Sequence, residues 1–147
     1  MNSLKDIIFY VLQSYPGTND LTEARIVKII YLSDWHQALY YRKQISTINW
    51  YHDNCGPYSD DIRNTILDNS NLFIIDPPKN LIMIKDKNYY PHLGIIERKS
   101  IDHIITISSA LNWNEFIKLV YSTYPVSSSS KYSNLDIVAK ALEYKPI

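Results

Sequence analysis

The sequence holds back cysteine, glycine and any surplus of charge, and each shortage excludes something. A single thiol, Cys55, rules out an intrachain disulfide framework and fits a reducing compartment. Three glycines, at positions 17, 56 and 94, are too few and too scattered to build a phosphate-cradling loop. Fifteen basic residues cancel fifteen acidic ones, so the cationic excess of a protein that neutralises many phosphates is missing. Apolar runs are short as well. None approaches the roughly 18 residues that span a bilayer, and Lys5 with Asp6 interrupts the first before it could act as a secretory leader. These shortages predict one cytoplasmic domain over residues 1–147, with membrane excluded and nucleic acid disfavoured as partners.

Aromatic residues are abundant: thirteen Tyr, three Trp and three Phe, or 13% of the chain. Their rings bury much area while Tyr and Trp keep a polar tip, so they serve cores and interfaces alike. Hydrophobic residues at 46% and charged residues at 20% are ordinary for a folded domain.

Helical spacing dominates the pattern. Leu4, Ile7, Ile8, Val11, Leu12 and Tyr15 make one stripe between a Ser3–Asp6 capping box and a Pro16-Gly17 stop. Asp20 with Glu23 marks a second start, from which a helix can run to about Lys43. Its apolar residues, Ile26 to Leu39, cover most of the circumference and predict a central hydrophobic helix with others packed about it. Residues 45–53 read as extended, and Asn54-Cys55-Gly56-Pro57 reads as a turn. Ser59 can cap a short helix that carries Asp60 and Asp61 in its first turn. The short apolar runs 72–75 and 81–84 predict a hairpin, while 86–95 show no pattern. Further helices are expected over 101–111, from an Asn112–Glu115 capping box to Pro125, and after a Ser133–Asp136 start, with 127–130 as a loop. The expected fold is mainly α, a compact helical domain around that central helix with a small β-hairpin element.

Little of the chemistry assembles into a motif. His52, Asp53 and Cys55 combine three metal-ligand types, and Cys55 with His52 could also be a nucleophile and its base. A second Cys, a Cys-x-x-Cys or a His-x-x-x-His is lacking, a fourth ligand such as His36 would have to arrive by folding, and nearby Asp53, Asp60 and Asp61 oppose a thiolate. A plain turn is the better reading, with a small Cys/His enzyme or metal-binding protein as the alternative. Tyr40-Tyr41-Arg42-Lys43 could stack on single-stranded nucleic acid, but bases at a helix end also complement its dipole.

Three stretches gain meaning together: Lys28-Ile-Ile-Tyr-Leu-Ser-Asp-Trp35, then Gly56-Pro57-Tyr58-Ser59, then Tyr121-Ser-Thr-Tyr-Pro125 followed by Tyr132-Ser133-x-Leu135-Asp136. In this order, over about residues 4–144, the chain resembles the Panacea domain, also called the SocA-like antitoxin domain. The resemblance implies a mainly helical fold and an antitoxin that neutralises a protein toxin, or another effector protein, by direct binding. It also implies carriage on phages or other mobile elements, and with that an anti-defence role as a variant. The length leaves no room for the DNA-binding helix-turn-helix that many members add, so promoter autoregulation is not expected. Catalytic residues, metal and cofactor are not expected either.

Within that resemblance, Asp34, Trp35, Gly56, Pro57 and Ser59 form a structural motif, with Asp34 expected to hydrogen-bond the 56–59 turn. The other arrangement puts Asp34 and His36 in a partner-receiving groove. Tyr40, Tyr41, Trp50, Tyr51 and Tyr58 are the expected exposed anchors, by the rule that aromatic residues dominate interface energetics. Self-association is left open.

Overall fold

The computed structural model describes residues 2–17 and 21–145. Its elements run α1 (Leu4–Ser14), α2 (Glu23–Tyr41), β1 (Trp50–Asp53), β2 (Gly56–Tyr58), α3 (Asp60–Asp68), β3 (Phe73–Asp76) and β4 (Leu81–Ile84). Then come α4 (Ile95–Ser108), α5 (Trp113–Ser122), α6 (Tyr124–Ser127), β5 (Ser133–Leu135) and α7 (Ile137–Tyr144). The fold is mainly helical, with small antiparallel sheets.

Capping explains where several helices begin. Thr22 accepts the Arg25 amide at 3.2 Å and starts α2, while the Asp20 signal falls outside the described residues. Ser59 accepts the Asp61 amide at 3.1 Å and starts α3. The Asn112–Glu115 box of α5 is complete: each side chain takes the other residue's backbone amide, at 2.9 and 3.0 Å. Ser3 makes no such bond: its backbone carbonyl takes the Asp6 amide at 3.1 Å, and the buried Asp6 carboxylate accepts the Tyr89 hydroxyl. At the far end of α2, Arg42 takes a left-handed φ of 56°. Its guanidinium donates to the carbonyls of Ala141, at 3.3 Å, and Lys145, so it complements the end of α7 as well as its own helix.

The buried face of α2 corrects one expectation. This helix packs against α1, α4, α7 and β2, yet it is not apolar all round. Of its thirteen buried residues, Arg25, Lys28, Ser33, Asp34 and Gln37 are polar. A polar group with no route to solvent must find its partner inside the fold. Each of these five does so in part, and the partners lie mostly outside the helix.

Of the two sheets, only one was anticipated. β3 and β4 pair antiparallel, with Phe73 opposite Ile84 and Asp76 opposite Leu81, and make the expected hairpin. The other sheet has the order β2-β1-β5 and is antiparallel throughout, with Tyr51 opposite Tyr58 and Trp50 opposite Leu135. Half of the expected 54–57 turn is therefore strand. Ser133, expected to begin a helix, lies in β5, and Asp136 caps α7 by accepting the Ala139 amide at 3.0 Å. α4 begins at Ile95, earlier than its apolar spacing suggested. α5 stops at Ser122, and Pro125 sits in the first turn of α6, where its missing N–H is no loss. Among the described residues, no helix is long and apolar enough to cross a membrane.

Gly56 follows the Asn54-Cys55 turn with a φ of +98°, a conformation side chains resist. A Cβ there would meet the Tyr121 ring at 3.5 Å, an ordinary contact, so the backbone and not crowding sets the penalty. Gly56→Ala is expected to cost about 1–2 kcal/mol, read as a lower urea midpoint at unchanged slope. A midpoint equal to the parent's would mean that the turn has another accessible conformation.

Candidate functional site

Asp34 is fully buried midway along α2 and gathers five donors. Oδ1 accepts the amides of Ile45 and Ser46 at 2.9 and 3.0 Å. Oδ2 accepts the Trp50 indole N–H at 2.9 Å, Gln44 Nε2 at 3.2 Å and the Ser46 hydroxyl. Burial pushes the carboxyl above the ordinary carboxylate range, and the hydrogen bonds from Ser46, Trp50 and Ile45 pull against that shift. Four of the five donors belong to the segment joining α2 to β1, and the fifth, Trp50, opens β1 itself. Asp34 therefore does not reach the 56–59 turn, which corrects that expectation. Lys28 holds the turn instead: its buried Nζ donates to the Pro57 carbonyl at 3.0 Å. Burial pushes the Lys28 ammonium down, opposed by nearby Cys55 and Asp53. Gly56 and Pro57 are buried with it, and Trp35 is buried edge-on to Tyr144, ring centres 5.9 Å apart.

His52, Asp53 and Cys55 do not converge. His52 is buried with Nδ1 3.0 Å from Ser129 Oγ, and Cys55 is exposed in the turn. Asp53 is half-buried, and strand alternation puts it on the opposite face of β1 from His52. His36 is elsewhere, on α2 against Ser100 of α4. Among the described residues, no group of three or more His, Cys, Asp or Glu is placed to hold a metal ion.

The five expected anchors separate. Trp50 is 1% exposed, bonded to Asp34 and edge-on to Tyr31 at 5.6 Å, so it belongs to the core and cannot meet a partner. Tyr51 and Tyr58 are half-buried and line a cleft of about 490 Å³ with Asp53, Asp60 and Asp61. Tyr40 and Tyr41 are 64% and 49% exposed. Beside them Ile96 is 44% exposed, and together with His36, Lys99 and Ser100 they frame a cleft of about 280 Å³ between α2 and α4. Ile96 escaped the sequence reading because residues 86–95 had no pattern and the helix was started at Ile101. The available signal was Gly94, which precedes a stretch free of Gly and Pro that reaches past residue 108. A larger cleft, about 770 Å³, lies by the start of α2, and both of its arginines are committed. Arg25 donates to the Ser108 and Leu111 carbonyls, and Arg63 pairs with Glu23 at 2.7 Å.

A protein-family model described as "Antitoxin SocA-like, Panacea domain" matches residues 26–125. The match takes in Lys28, Asp34 and the segments that they hold, and omits α1, β5 and α7. It is narrower than the resemblance over 4–144, and the Tyr132–Asp136 stretch falls outside it. No curated protein and no solved structure matches the chain.

Two outcomes follow from these contacts. Asp34→Asn keeps the shape but turns an amide against donors, leaving at least one buried N–H or O–H unpaired. It is expected to cost about 2–4 kcal/mol in urea unfolding, and parental stability would remove Asp34 from its structural role. His52 gives a pH dependence. Burial and, less strongly, Lys131 push its imidazole below the ordinary value, and Nε2 is buried without a partner. The unfolded chain then takes up the proton first, so stability is full above about pH 6.5 and declines as pH falls towards the depressed folded value. His52→Gln should flatten that acid-side decline in the urea midpoint, and an unchanged decline would assign it to other groups.

Proposed function

The chain belongs to the antitoxin SocA-like, Panacea-domain family, and from that membership we propose that it neutralises a toxin protein by binding it directly. The family match over residues 26–125 carries this reading. The partner face that best fits it is the end of α2 against the start of α4. There Tyr40, Tyr41 and Ile96 leave large apolar side chains in solvent although the fold does not need them there. Aromatic residues around a concave site are the usual anchors of a protein interface. The rival reading, a Cys/His enzyme or metal protein using His52, Asp53 and Cys55, finds no support in a geometry that turns those side chains apart.

Co-expression with the product of the neighbouring gene tests the proposal. The neighbour should be toxic alone, harmless in company, and should co-purify with this protein. Tyr40→Ala, Tyr41→Ala or Ile96→Asp should each weaken the complex by about 2 kcal/mol, near 30-fold, with unfolding midpoints unchanged. A harmless neighbour that does not co-purify would sink the antitoxin reading. A complex that survives the triple variant would move the contact to another face.

A further inference from the structure

Two of the four histidines meet where α2 packs on α4. His36 is half-buried on α2 and His103 is exposed on α4, with ring centres 4.8 Å apart and planes inclined at 41°. Helical spacing arranges the meeting: Ser100 and His103 are three residues apart on α4, and His36 and Tyr40 four apart on α2. The Tyr40 ring lies 4.7 Å from His36.

Ser100 sets the protonation of His36. Its hydroxyl donates to Gln37 Oε1 at 2.8 Å, and its oxygen lies 3.1 Å from His36 Nδ1. A hydroxyl has one proton to give. With the Gln37 amide placed oxygen towards Ser100, that proton is spent on Gln37 and Ser100 Oγ accepts from His36, which puts the hydrogen on Nδ1 and leaves the Nε2 lone pair free. Metal-binding histidines are held this way, one nitrogen fixed by a hydrogen bond and the other free to coordinate.

The spacing fits as well. Imidazole nitrogens bind zinc at about 2.0–2.1 Å, which puts the centres of two rings on one tetrahedral ion about 5 Å apart. We propose that His36 and His103 form a two-histidine site for a divalent transition metal, zinc, nickel or copper, with the remaining coordination positions open. Imidazole suits these metals. Lys99 in the adjoining cleft and Lys145 over the Tyr40 ring are the nearby cations, and both sit on flexible stems. Two protein ligands give weaker binding than a four-ligand structural zinc site. Metal binding here does not depend on a toxin being the protein's partner.

Untagged full-length protein titrated calorimetrically with zinc chloride and with nickel chloride at pH 7.5 tests the site. One ion per chain should bind with a dissociation constant below about 100 µM. His36→Gln and His103→Gln should each weaken it at least about tenfold, and Ser100→Ala, a positioning change, by about tenfold. His92→Gln and Cys55→Ser should leave it unchanged. His103 is exposed, so its replacement reads the site without threatening the fold. No saturable binding below about 1 mM, full binding in His103→Gln, or lost binding in Cys55→Ser would each overturn the assignment.

Discussion

The Asp34 carboxylate is the contact on which the remaining architecture rests. Bringing an ion into the interior costs several kcal/mol, and a carboxylate hydrogen bond returns about 1.5–3 kcal/mol. Five donors return much of that cost, although burial still outweighs them and leaves the carboxyl above its ordinary range. One donor is the indole of Trp50, whose burial of roughly 200 Å² at about 25 cal/mol per Å² contributes about 5 kcal/mol more. The network thus fixes where β1 starts. Because β1 is the middle strand of β2-β1-β5, the hairpin on one side and the C-terminal segment on the other both take their register from it.

The same logic repeats along α2. Arg25 holds the end of α4 by the Ser108 and Leu111 carbonyls, Lys28 holds Pro57 in β2, and Gln37 accepts from Ser100 of α4. A helix packed on most sides normally offers only apolar surface to its neighbours. Here it offers polar anchors to the connection before β1, to β2 and to α4 with the loop that follows it. That arrangement also concentrates structural work in the helix interior and leaves its C-terminal end free. Tyr40 and Tyr41 lie beyond the last of these anchors, which suits them to contact outside the domain.

The proposed antitoxin face and the histidine pair share the α2–α4 junction. His36 is linked inward through Ser100 to Gln37 and packed outward on the tilted Tyr40 ring, so a change at the surface would be felt by a buried hydrogen-bond network. Networks of this kind order a binding surface before its partner arrives, and that lowers the entropy lost on association.

Neighbouring residues sufficed to settle α1, α2, α3, α5 and the β3–β4 hairpin. Apolar spacing and end-capping side chains act within one or two turns, so their information is local and readable in order along the chain. The family resemblance, too, rested on short local stretches. What needed the folded molecule were pairings between distant segments. β5 has three residues, too few for a period, and finds β1 more than eighty positions away. Asp34 binds the backbone amides of Ile45 and Ser46, and every residue except proline offers such an amide, so no side chain advertised them as its partners. Trp50 and Tyr40 are both amphipathic aromatics near the end of α2, and only packing sends one into the core and the other into solvent.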